Sequence, residues 1–167
     1  VELFGHGGYF NAGGDEGRLG SSAGYGASAM LGFSGRVAVD IGVMTTEVTR
    51  QAGTDLARTR RTLVLPSLVG RWGSERGYFF AGGGVSAQMD RFTFQSAFSP
   101  GLLPPGARDL GGGRFETVAR ETGPMFHART GVVRALGESF LVRIDLIWAH
   151  RYVLPNIVAT GGIGIRF

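Results

Sequence analysis

Three histidines, His6, His127 and His150, are the side chains of this chain best suited to move protons or bind a metal near neutral pH. None stands in an HExxH arrangement or another close ligand spacing, so a metal or acid–base centre would need distant segments to converge. Glu2, Asp90 and Asp145 form no evident carboxylate pair for acid–base work. Gly82-Gly83-Gly84 lacks the Gly-Lys-Ser/Thr ending and the following helix of a phosphate cradle. There is no cysteine, which removes thiol nucleophiles, disulfides and cysteine zinc sites. The sequence therefore leads us to expect no catalytic residue, no metal and no cofactor.

The elements that would carry these residues are strands. Alternation of apolar with small or polar residues recurs in blocks of about ten, the pattern of a strand with two unlike faces. In the block 139–153, Phe140, Val142, Ile144, Leu146 and Trp148 share one face. Leu141, Arg143, Asp145, Ile147, Ala149 and Arg151 share the other. Blocks 36–49, 78–91 and 157–167 repeat the arrangement, and weaker candidates cover 1–10, 23–33, 62–72 and 125–134. Together they predict about eight strands in a single domain spanning 1–167, a length suited to one domain.

The connections alternate in length. Ser34-Gly35-Arg36, Gly73-Ser74-Glu75-Arg76 and Ala135-Leu136-Gly137-Glu138 are tight links. Between them lie longer polar stretches, 11–22, 50–61 and 92–123, which read as loops; Leu154-Pro155-Asn156 is a brief exception. Inside the longest, Ser99 to Gly106 and Gly111-Gly112-Gly113 should hold no regular structure, while Arg114 to Glu121 could extend a strand. Short turns on one rim and long loops on the other is the pattern of an antiparallel up-and-down transmembrane β-barrel, with the short turns periplasmic.

Composition agrees with that reading. The chain has 30 glycines and 12 phenylalanines, only 18% charged residues, and all 17 of its basic side chains are arginine. A net charge of +4 and a pI near 10.3 would permit nucleic-acid binding, but the arginines are scattered, so none is expected. No run approaches the ~20 apolar residues of a membrane-spanning helix. The chain opens at Val1-Glu2-Leu3-Phe4, inside a strand and without a basic-then-apolar leader, as expected of a processed form whose signal peptide is absent.

In a narrow barrel the inward face has little volume. Gly24, Gly26, Gly32, Gly82, Gly84, Gly162 and Gly164 are expected to make room for arginines crossing from other strands. A charge in such an interior must be paired, so Glu2, Asp40 and Asp145 are expected to balance Arg129, Arg143 and Arg166 in a lumen ionic network. His6 and His127 are expected at the lumen or rim, satisfied by neighbours.

With these features the chain resembles the eight-stranded outer-membrane β-barrel superfamily, the small barrels of the outer membrane protein A and X type. The resemblance is sharpest in Thr160-Gly161-Gly162-Ile163-Gly164-Ile165-Arg166-Phe167, which looks like that family's C-terminal assembly signal. It implies that Thr160, Gly162, Ile165 and Phe167 are read by the barrel-assembly machinery. Trp72 to Phe80 also looks like the family's central periplasmic hairpin, with aromatics flanking a short polar turn.

The implied setting is the outer membrane of a Gram-negative bacterium, with outer-membrane lipids around the barrel and a possible protein partner on the loop 92–123. The implied role is non-catalytic: structural, anchoring or surface-interacting, with a plugged polar lumen. Rivals are a narrow solute pore, a lipid-modifying barrel enzyme and a soluble lipocalin-like binder. The enzyme reading is weakened because barrel lipid A deacylases place a serine two residues after the histidine. Here Arg129 and Tyr152 stand at those positions, after His127 and His150.

Overall fold

In a computed structural model, residues 1–13, 18–97, 106–151 and 155–167 are described. Among the described residues nine strands form in chain order: β1 Glu2–Gly13, β2 Arg18–Gly32, β3 Val37–Ala52, β4 Asp55–Ser74, β5 Gly77–Ala97, β6 Arg108–Gly111, β7 Arg114–Ala135, β8 Phe140–His150 and β9 Asn156–Arg166. All pairings are antiparallel, and eight strands make a ring in the order β1, β2, β3, β4, β5, β7, β8, β9. Pairing of β1 with β9, from Glu2 opposite Arg166 to Asn11 opposite Ile157, joins the two ends. The short β6 lies outside the ring, paired to the outer part of β7.

The alternation read from the sequence sets which face points where. On β8, Leu141, Arg143, Asp145, Ile147 and Ala149 are buried, and Phe140, Ile144, Leu146 and Trp148 are exposed. The same parity runs around the ring, and the outward positions of the membrane-height stretches carry no charge. On β5 these run from Phe79 through Ala81, Gly83, Val85 and Ala87 to Met89. At ~3.3 Å per residue and a tilt of ~40°, that stretch is ~25 Å tall, the height of the apolar band of an outer-membrane barrel. Phe79, Trp72 and Phe140 are exposed at one edge of the band, and Tyr9, Tyr25 and Trp148 toward the other, as interfacial girdles require.

All three of the expected long loops are largely strand instead: in 11–22, β1 continues to Gly13 and β2 begins at Arg18, with 14–17 outside the described residues. In the stretch 50–61, β3 continues to Ala52 and β4 begins at Asp55, leaving a turn at Gly53-Thr54. Gly53 has φ 61°, as the first central residue of a two-residue hairpin turn demands. In 92–123, β5 continues to Ala97 and β7 begins at Arg114, where the expectation of an extended strand holds. The physical reason is common to all three. Outside a membrane a hairpin needs no apolar face, so its polar residues hide a ladder that backbone hydrogen bonds still complete. Strands β4, β5 and β7 have 20, 21 and 22 residues, about twice the ~10 needed to cross. The stretch 98–105, which covers most of Ser99 to Gly106, lies outside the described residues, as do 14–17 and 152–154.

The tight approach of β4 to β5 depends on Gly82. A Cβ there would run into the carbonyl oxygen of Leu68 and lie 2.7 Å from the Cα of Val69. Gly82→Val is therefore expected to destabilise the barrel by ~1–3 kcal/mol through overpacking. The measurement is the urea midpoint of the folded protein in lipid vesicles, and an unchanged midpoint would refute the steric account.

Candidate functional site

The lumen holds the chain's polar chemistry in layers. Inward side chains of the ring strands point into it, and two apolar clusters lie among its polar groups. Phe4, Met30, Ala38, Val69, Tyr78, Phe80, Val133 and Leu141 pack toward the short-turn rim. Phe10, Met44, Leu63, Leu65, Met125, Ile147, Ala149 and Val158 pack toward the other.

Between these clusters lies a four-charge group. Arg129 Nη1 is 3.1 Å from Asp40 Oδ2 and its Nη2 is 2.9 Å from Asp145 Oδ2. Arg143 donates to Asp40 and, through Nε at 2.9 Å, to Asp145. All four side chains are at most 2% exposed. Register brings them together: Asp145 lies opposite Gly131, two residues from Arg129, while Arg143 reaches across the lumen to β3. The Arg143 guanidinium is held over two rings, 4.4 Å from the Phe80 centroid and 4.9 Å from that of Phe4, a cation–π arrangement strengthened by exclusion of water. Its Nη1 also lies 3.4 Å from Ser28 Oγ, which hydrogen-bonds His6 Nε2 at 2.8 Å.

The other two members of the expected network sit at the short-turn rim. Arg166 Nε and Nη2 donate to Glu2 Oε1 at 2.9 and 2.7 Å, and Tyr78 donates its hydroxyl proton to the other Glu2 oxygen. The six residues thus form two groups, Asp40–Arg129–Arg143–Asp145 and Glu2–Arg166.

Sequence reasoning missed a third group at the opposite end. Arg61 grips Asp90 with two bonds, Nε to Oδ1 at 2.8 Å and Nη2 to Oδ2 at 2.7 Å. Its Nη1 donates to Asn156 Oδ1 at 2.6 Å. Gln88 donates to Asp90 at 2.9 Å and accepts from Asn156 at 3.0 Å, closing the circuit. Arg61 is the last residue of the stretch 50–61 that reads as a loop; its signal is shared parity with Leu63 and Leu65. Four buried or half-buried guanidiniums (Arg61, Arg129, Arg143, Arg166) therefore face four carboxylates (Glu2, Asp40, Asp90, Asp145). The lumen is charge-balanced at these positions.

His127 is held by serines on two other strands: Nε2 is 2.7 Å from Ser67 Oγ, and Nδ1 bonds Ser86 Oγ. One ring nitrogen donates and the other accepts, which fixes the ring without any carboxylate to orient it. His6 and His127 are thus lumen residues, whereas His150 lies on the exposed face, stacked on Trp148 with ring centroids 5.4 Å apart. Among the described residues no group of three or more histidine, aspartate or glutamate side chains is arranged to hold a metal ion.

The inward glycines make room mainly for rings and backbone, not for arginines. A Cβ at Gly24 would strike the Phe10 ring, at Gly162 the His6 ring and at Gly164 the Phe4 ring. At Gly26, Gly82 and Gly84 it would meet the carbonyl oxygens of Val43, Leu68 and Pro66; only Gly32 of the expected set faces an arginine, Arg71. In the expected assembly signal, Thr160 is buried and Gly162 shares its inward parity, while Ile165 and Phe167 face outward and are exposed.

No protein-family model matches the chain, and no curated protein sequence matches it. Solved structures do match in fold. The chain is similar to Ail, the attachment invasion locus protein of Yersinia pestis, solved with the heparin analogue sucrose octasulfate (TM-score 0.68, 15% identity, 99% of this chain and 98% of that one). It is also similar to Neisserial surface protein A (TM-score 0.67, 9% identity, 99% and 96%). A third is the N-terminal β-barrel domain of Pseudomonas aeruginosa OprF (TM-score 0.56, 13% identity, 99% and 96%). The shared fold is the antiparallel up-and-down transmembrane β-barrel.

Proposed function

We propose that this protein is a non-catalytic outer-membrane barrel of a Gram-negative bacterium, with a structural, anchoring or surface-interacting role. What supports the reading is a set of charge-balanced, buried ion pairs on the inward face of a ring whose outward band carries no charge. A lumen plugged in this way would offer a substrate no open interior, and its two histidines spend ring nitrogens on serines. What remains available to partners is the outside: the lipid-facing band and the hairpins that rise beyond it. The neighbours described as an attachment invasion locus protein and a surface protein lend support to a surface role. A protein partner would meet the β5–β7 extension in 92–123, where paired strands offer a firmer platform than a loop. Thr160, Gly162, Ile165 and Phe167 would be the residues engaged by the barrel-assembly machinery.

A narrow pore is the second reading, favoured by one observation. His6 Nδ1, Asp40 Oδ1, Asp145 Oδ1 and Thr160 Oγ1 are buried without hydrogen-bond partners, as groups that line a file of water would be. Two measurements test the pair. Membrane fractionation should give a heat-modifiable band in the outer membrane, and a soluble protein needing no detergent would defeat the membrane reading. Planar bilayers should record no steady ion conductance; a reproducible channel would replace the plugged barrel with the pore.

A further inference from the structure

The outward face carries one unusual charge pattern. Arg60 on β4 lies directly opposite Arg91 on β5, and Arg91 lies directly opposite Arg120 on β7. Opposed side chains on one face stand ~5 Å apart at Cβ, where like charges destabilise the pairing. Among the described residues no ion pair or hydrogen bond relieves them: Glu47, opposite Arg60, has its carboxylate on Arg58 at 3.2 Å, and Glu116 accepts from Gln95 at 2.9 Å. The row lies beside a shallow recess of about 210 Å³ lined by Glu47, Arg58, Arg60, Arg91, Thr93 and Glu116.

Its height is as telling as its charge. On each of the three strands the row is the first charged outward position past the uncharged stretch, which ends at Thr62 on β4, Met89 on β5 and Thr122 on β7. The three guanidiniums thus meet the membrane where hydrocarbon gives way to headgroups, on the long-hairpin side. A phosphate is the anion whose geometry a guanidinium fork matches with paired bonds, and a phosphate between opposed forks turns their repulsion into attraction.

We infer that Arg60, Arg91 and Arg120 form a binding site for the phosphate groups of an outer-leaflet glycolipid, a phosphorylated saccharide carrying acyl chains. The acyl chains lie against the outward residues below the row, Val64, Ala87 and Pro124, which register places side by side with β3 Val43. The inference rests on the membrane-embedded reading. Fractionation tests that reading separately, since the following experiment uses purified protein in detergent.

The whole protein is titrated with a diphosphorylated lipid A-type glycolipid, its monophosphorylated counterpart, inorganic phosphate and sucrose octasulfate, and bound lipid is counted by native mass spectrometry. The protein should retain the diphosphorylated lipid most strongly, and inorganic phosphate at equal concentration should not displace it. The triple variant Arg60→Gln, Arg91→Gln, Arg120→Gln should bind it at least roughly tenfold more weakly, since charge-assisted phosphate bonds are lost. The single variant Arg91→Gln, which removes the central fork, gives an intermediate loss and serves if the triple variant folds poorly. Undiminished binding by these variants overturns the site. Displacement by inorganic phosphate, or tighter binding of the octasulfate than of the lipid, overturns the assignment to a membrane lipid.

Discussion

Replacing Arg143 with alanine is expected to lower the stability of the barrel by ~3–5 kcal/mol, the range for breaking a buried ion pair by removing one partner. Three effects add at this residue. Asp40 and Asp145 would be left to share Arg129, inside a lumen where both are shielded from solvent almost entirely. The space between Phe4 and Phe80 would empty, taking with it two cation–π contacts. Ser28 would lose a polar neighbour while still holding His6. Arg143→Lys separates charge from shape: an ammonium keeps the charge but cannot serve Asp40 and Asp145 with one planar fork, so partial recovery is expected. The urea midpoint in lipid vesicles reads both variants. A midpoint for the alanine variant within ~0.5 kcal/mol of the parent, the range of surface substitutions, would mean that water already screens these charges and the lumen is not plugged.

Removing Asp90 should have an effect of similar size at the other end, and it offers a sharper test. Asp90→Ala removes the carboxylate that takes two bonds from the Arg61 guanidinium, itself 2% exposed. The expected loss is again ~3–5 kcal/mol. The double variant Arg61→Met, Asp90→Leu removes both charges and keeps most of the volume, so it should recover to within ~1–2 kcal/mol of the parent, because apolar replacement of a whole buried pair is often neutral. Strong coupling in the resulting cycle marks a desolvated pair. Additive losses would contradict the bidentate geometry.

The two clusters differ in how far the sequence reveals them. Asp40, Arg129, Arg143 and Asp145 were legible because each lies in a stretch whose opposite face is apolar, so parity alone marked them as inward. Arg61 sits where Arg58 and Arg60 make the outward face polar too. There the contrast between faces vanishes, although the ladder continues unbroken to Leu56. Asp90 lies in a block whose two faces do alternate, but Arg61 falls in a stretch that reads as a loop, so periodicity does not reveal the pair. The Ser67–His127–Ser86 arrangement draws on β4, β5 and β7 and depends on register between strands, which periodicity within one strand does not encode. The same limit hid the arginine row, whose members look scattered along the chain and become neighbours only across the sheet.

The ring also has a temporal side. Seven of its eight seams join strands that follow one another around the sheet, apart from the outlying β6. The β1–β9 seam joins opposite ends of the chain, with the Glu2–Arg166 pair spanning 164 positions. Contacts so distant form late, because loop closure must precede any reward from them. Until then the sheet has two open edges, each a template for a foreign strand. The β1–β9 seam is therefore where a half-made molecule is most exposed to aggregation, and where a helper that shields unpaired strands would have the greatest influence on yield.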